Sequence, residues 1–155
     1  MAINLSSPVT GSLQTDFTAA TYTVVSDLAP DSNGKQYAVT ALGGTQVGVS
    51  AHTVSKPFTF TAVRPKQFKN LGQPNPVTGV ISNVPRNRWK FITRKGVSPE
   101  SGQPNQIMLI STTVEVPAGS DLADPEDLRA ALSLHFGALT QLSAEIGNSA
   151  VSGVF

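Results

Sequence analysis

The chain is 155 residues long, 39% hydrophobic and 6% aromatic, and its 11 basic and 10 acidic side chains leave a formal net charge of +1. That length suits a single domain over residues 1–155 with a real core; the lack of cysteine excludes disulfides and thiolate metal sites, and two distant histidines cannot by themselves hold a metal. The near-neutral balance conceals a segregation, because ten of the eleven basic residues lie between Asp31 and Glu100, where no acid occurs, and a segregated positive surface points to a polyanionic partner.

At the N-terminus, residues 1–8 have neither a basic start nor a continuous apolar run, which argues against a signal peptide. Ala2 is small enough to permit removal of Met1. No apolar run of about 18 residues offers a transmembrane helix, so the expectation is a protein made and kept in a cytoplasm, without a membrane partner. From Thr10 to about Pro117, short alternating runs separated by turn residues give the pattern of an antiparallel sheet. Residues 21–26 (TYTVVS) are expected to pair with residues near Leu13 to Thr18 as an N-terminal hairpin. Asp31-Ser32-Asn33-Gly34 is a turn by its chemistry, since Asn and Gly tolerate positive φ. Residues 36–42 read as a strand, Gly43-Gly44 as its turn and residues 45–54 as the return strand of a hairpin.

Residues 57–64 (PFTFTAVR) form the next strand, with Phe58, Phe60 and Ala62 on one face and Thr59, Thr61 and Val63 on the other. Residues 65–85 are a long connection rich in Gly, Pro and Asn, with a short strand expected around 77–81; a loop this long usually makes contacts or carries function. In residues 86–95 (RNRWKFITRK) the even positions are Arg86, Arg88, Lys90, Ile92 and Arg94, and the odd ones include Trp89, Phe91 and Thr93. Successive side chains of a strand point to opposite faces, so four cations share one surface while Trp89 and Phe91 enter the core. Residues 96–105 (GVSPESGQPN) project as a loop. Residues 106–116 (QIMLISTTVEV) are the last strand, whose odd positions bring Ser111, Thr113 and Glu115 to one face.

Asp124-Pro125-Glu126-Asp127 starts a helical segment over about 124–147. Asp124 caps it, Pro125 suits the first helical position, and the two acids favour the positive end of the dipole. Leu128, Leu132, His135, Leu139, Leu142 and Ile146 recur at helical spacing as one apolar stripe. Gly137, on the opposite side, marks a bend or a break, and Gly147-Asn148 the stop. Five strands at about 4.8 Å spacing make a sheet roughly 20 Å across, whereas one helix is only about 10–12 Å wide. The cationic face must stay wet, so the apolar face needs a second helix, and a symmetric partner would supply it in an interlocked homodimer; the bland alternative is that the N-terminal hairpin alone closes the gap.

Lys and Arg contacts to phosphate release counterions, giving sequence-independent affinity that falls steeply with salt. Arg86, Arg88, Lys90 and Arg94 are the candidates for that contact; the bland alternative is a charged face that only discourages sheet aggregation, and the missing acids favour binding. Reading a preferred RNA hairpin needs polar side chains between the cations. Thr59, Thr61, Ser111 and Thr113 are placed for that role, against the plain alternative of ordinary solvent-facing strand residues. Trp89 shares the parity of Phe91 and belongs to the core. His52 lies near Ser50 and His135 in the helical stripe, but no G-x-S-x-G elbow is present. Gly43-Gly44 and Val77-Thr78-Gly79 lack the P-loop lysine and the Rossmann spacing. Asp121, Asp124, Glu126 and Asp127 are explained by their helix start. No catalytic residue, cofactor or metal is expected.

The order of elements resembles the coat proteins of the single-stranded RNA bacteriophages. The likeness is carried by the basic strand 86–95, the polar loop 96–105, the strand 106–116 and the segment DPEDLRAALSLHFGALTQLSAEIGNSAVSGVF over residues 124–155. The long 65–85 connection departs from the compact members of that family. The resemblance implies an α+β fold with an N-terminal hairpin, a five-stranded antiparallel meander and C-terminal helices. It further implies a dimer whose two sheets form one ten-stranded surface, and an icosahedral virion shell assembled in the bacterial cytoplasm. The sheet would face the single-stranded RNA genome, with the loop before the last strand making contacts at symmetry axes. Two other readings compete: a non-viral dimeric β-rich RNA-binding protein, and a small enzyme or pilus-like subunit.

Overall fold

In a computed structural model of the chain, which describes residues 3–155, the strands β1 (Val9–Thr10), β2 (Thr18–Asp27), β3 (Gly34–Thr45), β4 (Phe58–Val63), β5 (Arg86–Val97) and β6 (Gln106–Pro117) form one antiparallel sheet in chain order. Three helices follow: α1 (Ser120–Ala123), α2 (Pro125–Gln141) and α3 (Ser143–Ser152). The expected α+β fold is therefore present, with five full strands and a two-residue edge strand. Met1 and its removal lie outside the described residues. None of the described helices is long and apolar enough to cross a membrane.

Turn chemistry places most of the strand ends. Gly34 N–H donates to Asp31 C=O at 3.0 Å, closing the turn between β2 and β3 that Asn33 and Gly34 favour. The N-terminal hairpin uses a different partner from the one expected: Val9 and Thr10 pair with Tyr22 and Thr21, and residues 11–17 form the connection. Residues 43–45 correct a second expectation. Gly43-Gly44 is not a turn but the end of β3, pairing as far as Thr45↔Thr18. A Cβ at Gly43 would collide with the Thr21 hydroxyl and one at Gly44 with the Ala19 carbonyl, so these glycines serve close approach to β2. Residues 46–57 consequently run as a loop, pinned where His52 N–H donates to Val39 C=O at 2.8 Å.

The 65–85 connection contains no strand. Asn75 instead builds a turn, its side-chain oxygen accepting from Val77 N–H at 2.8 Å and Thr78 N–H at 3.2 Å, the local competition that Asn offers to extended structure. The connection is tied to the sheet by Asn87, whose amide accepts from Lys69 N–H at 2.8 Å and donates to Lys69 C=O at 3.0 Å. Phe68 packs on Trp89 with ring centroids 5.8 Å apart.

Helix α2 begins as its residues dictate, with Asp124 accepting from Asp127 N–H and Pro125 in the first turn. The helical path breaks at Leu142 and not at Gly137, and α3 runs through Gly147-Asn148 to end at Gly153, φ 73°. The β1–β2 connection anchors α3: the Gln14 amide donates to Ser143 C=O at 2.7 Å and to the Ser143 hydroxyl at 2.8 Å, and Thr15 Oγ1 donates to Asn148 at 2.7 Å. Both contacts hold α3 against the β1–β2 connection.

Cross-strand register assigns the two faces of the sheet. Phe58, Phe60, Ala62, Phe91 and Thr93 share one face, where Phe60 stacks on Phe91 at 6.5 Å and Phe136 of α2 meets Phe91 edge-on at 6.3 Å. This apolar face is poorly covered. Among the described residues the buried apolar ones are only Ala20, Ala38, Val39, Ala62, Val116 and Ala118, and no large side chain is fully enclosed. No residue of α1, α2 or α3 is buried. The chain exposes 11088 Å² at a mass of 16.2 kDa, where a folded monomer of that mass exposes about 7500 Å².

Candidate nucleic-acid interface

The opposite face collects the residues singled out by strand parity. Along β4, β5 and β6 the rows are Thr59–Arg94–Leu109, Thr61–Ile92–Ser111 and Val63–Lys90–Thr113, followed by Arg88 opposite Glu115 and Arg86 opposite Pro117. Directly opposed residues of an antiparallel pair project to the same side. Arg86, Arg88, Lys90, Arg94, Thr59, Thr61, Ser111 and Thr113 therefore lie on one surface.

Their accessibility differs. Arg86, Arg88, Lys90, Ser111 and Thr113 are exposed and Arg94 is half-buried, whereas Thr59 and Thr61 are only 5% and 3% exposed. Thr61 Oγ1 donates to Gln36 Oε1 at 3.0 Å, and Gln36 Nε2 donates to Asp27 Oδ2 at 2.7 Å. The hydroxyl of Thr61 is thus tied into a row of side chains on this same face that ends on the β2 carboxylate of Asp27. The Gln36 amide, then the Leu28 N–H, hold the Asp27 carboxyl below its ordinary range.

Glu115 modifies the charge of this surface. Arg88 Nε lies 2.6 Å from Glu115 Oε1, and Arg86 Nη1 lies 3.8 Å from Oε2. Counting acids within the basic interval of the sequence overlooks this contact, because Glu115 falls outside that interval. Its parity on β6 was the available signal. Lys90 and Arg94 form no ion pair among the described residues.

Two further lysines of the basic interval are engaged elsewhere. Lys95, at an odd position of β5, turns to the apolar face: its Nζ donates to Ser50 C=O at 2.7 Å and sits 4.5 Å from the Phe58 ring centroid. Burial, with the neighbouring Lys56 charge, lowers its pKa. Lys66 pairs with Asp31 at 2.9 Å. Segregation along the sequence is therefore only partly segregation in space. Trp89 is half-buried against Phe68. His52 Nδ1 accepts from Phe58 N–H at 3.0 Å, and the His135 ring lies 5.5 Å from that of Phe136. Among the described residues no three His, Cys, Asp or Glu side chains come together as a metal site would require.

A second feature is an edge. Among the described residues β6 pairs only with β5, and at its start Ile107, Met108, Leu109 and Ile110 are 60%, 44%, 60% and 54% exposed. A long apolar edge strand with free backbone groups is a template for pairing with another chain. Beside it, between Val114 and Val116 of β6 and Leu128, Leu132 and His135 of α2, lies an apolar cleft of about 390 Å³.

No protein-family model matches the sequence, and no curated protein matches it. Among solved structures, a chain from the virus-like particle of bacteriophage ESE020 is 52% identical, with a TM-score of 0.97 over 99% of this chain and 100% of that one. A chain from the virus-like particle of Wenzhou levi-like virus 4 is 19% identical, with a TM-score of 0.42 over 79% of this chain and 72% of that one.

Proposed function

Because the chain belongs to the coat proteins of the single-stranded RNA bacteriophages, we propose that it pairs into an interlocked homodimer, closes an icosahedral shell in the host cytoplasm and holds the RNA genome against the face bearing Lys90 and Arg94. Its capsid role is structural, and the protein is a virion component. That membership displaces the reading as a non-viral RNA-binding dimer. No catalytic site and no cofactor enters the proposal.

The observation that carries it is the unlikeness of the two sheet faces. One is cationic, with Lys90 exposed and unpaired and Ser111 and Thr113 beside it; such a surface binds phosphates without regard to sequence. The other is apolar and under-covered, which supports a partner's helices completing it. The free β6 edge supports two sheets joining there into one continuous surface. Residues 98–105 project between β5 and β6, closed by Ser98 Oγ donating to Asn105 Oδ1 at 2.8 Å, and are assigned to contacts between dimers at symmetry axes.

Expression of the chain alone in bacteria tests the RNA-facing surface. Native particles should be round and rich in nucleic acid by their absorbance ratio at 260 and 280 nm. Lys90→Glu with Arg94→Glu, which removes both unpaired cations, should lower encapsidated RNA severalfold while the protein stays folded. Unchanged RNA content in that double variant would remove this face from the packaging surface.

A further inference from the structure

Four cations on one strand face are not equivalent when two of them share an acid. Glu115 stands directly opposite Arg88 across the β5–β6 pair, and its two carboxylate oxygens are divided between Arg88 at 2.6 Å and Arg86 at 3.8 Å. Glu115 is itself one-third exposed, so the pair meets solvent and any polyanion approaching the face. The same two arginines line, together with Lys69 and Gln67, a cleft of about 450 Å³ where the 65–85 connection meets β5. Lys90 and Arg94, two and six residues beyond Arg88 on the same face, have no such partner among the described residues.

We propose that Glu115 is a charge gate on the RNA-binding face, keeping Arg86 and Arg88 from gripping phosphate indiscriminately and leaving Lys90 and Arg94 as the unconditional contacts. The inference rests on the RNA-facing reading above. Its physical basis is competition. A phosphate that approaches Arg88 must displace a carboxylate already hydrogen-bonded to Nε, and the displaced carboxylate then repels the RNA backbone. No counterion is released by that exchange, so these arginines add little to sequence-independent affinity. A segment that satisfies Glu115 through an exocyclic base amino donor, which uracil lacks, frees both guanidiniums at once, and discrimination follows from the repulsive element as much as from the attractive one.

Binding of a short oligouridylate to the unassembled full-length protein, followed by fluorescence anisotropy across a salt series, tests the gate. Single strands lose affinity with a slope of about 0.7 per neutralised phosphate. Glu115→Gln should therefore steepen the slope by about 1.4 as two guanidiniums are released, and tighten low-salt binding. Lys90→Gln should flatten it by about 0.7. If Lys90→Gln flattens the slope but Glu115→Gln leaves it unchanged, the gate is refuted and the RNA-facing reading stands. If neither variant moves it, the RNA-facing reading falls and takes the gate with it. Should Glu115→Gln fail to fold, Arg88→Gln in the otherwise native chain decides the matter. The gate predicts a slope close to native, because that charge is already compensated, and a loss as large as that of Lys90→Gln overturns it. An ion pair that only stabilised the strands would shift the melting temperature and leave the slope where it was.

Discussion

Thr61, Gln36 and Asp27 form a relay across the strands β4, β3 and β2, in which each side chain fixes the next. The Gln36 amide stabilises the ionised form of Asp27, which is why its carboxyl sits below the ordinary 3.8. A depressed folded-state pKa contributes stability that is present above the unfolded value and lost as pH falls through the folded one. The Asp27 contribution should therefore persist to pH 3.8 and fade below it. Gln36→Ala should raise the Asp27 midpoint toward its ordinary value, read by carboxyl NMR titration, and an unmoved midpoint would show that Leu28 N–H alone holds it. At this scale the sequence was informative about parity and silent about partners. Alternation alone put Arg88 and Glu115 on the same side of their strands, but which oxygen meets which nitrogen depends on the pairing register. Thr59 and Thr61 likewise have the expected parity, yet their central position between β3 and β5 leaves them covered.

Among the elements, the long 65–85 connection owes its place to one residue. Asn87 is 8% exposed and makes both hydrogen bonds of its amide to the Lys69 backbone. Asn87→Ala should cost about 1–2 kcal/mol, because two bonds to exposed backbone groups are lost and water can replace them only on the Lys69 side. The released segment should be cut faster by trypsin at Lys66 and Lys69, and an unchanged digestion rate would assign its anchoring to Phe68 and Trp89. The elements that were legible were those set by short-range chemistry: the Asp31–Gly34 turn, the alternation of β4 and β5, and the Asp124 cap. The elements misplaced were those set by distant contacts. Gly43-Gly44 has turn composition, but the proximity of β2 makes it strand. Gly147-Asn148 has stop composition, but α3 continues through it, anchored on the β1–β2 connection by Gln14 at Ser143 and by Thr15 at Asn148.

For the whole molecule, the accessible surface decides the argument. An excess of roughly 3500 Å² per chain over a monomer of this size is more than one partner's share of a large obligate interface, about 1000–2500 Å², and the exposed Leu134, Phe136, Leu139, Leu142 and Ile146 of the helices contribute to it. The absence of native cysteine makes the β6 edge testable by single cysteines. Of Met108→Cys, Ile110→Cys and Thr112→Cys, at least one should give a disulfide-linked dimer under mild oxidation while retaining assembly, since opposed residues of an antiparallel pair bring their Cβ atoms within about 5.5 Å. Monomer at all three positions, in protein that still forms particles, would move the dimer contact away from this edge. By itself the sequence determined the period-two split of each strand, the gathering of cations on one face and the helical start, because these depend on residues near one another along the chain. It also implied, through strand spacing against helix width, that one subunit could not cover its own sheet. Only the tertiary structure decided the register that brings Glu115 to Arg88, the burial of Thr59 and Thr61, and the course of the glycine pairs, because each depends on a neighbour brought near only by folding.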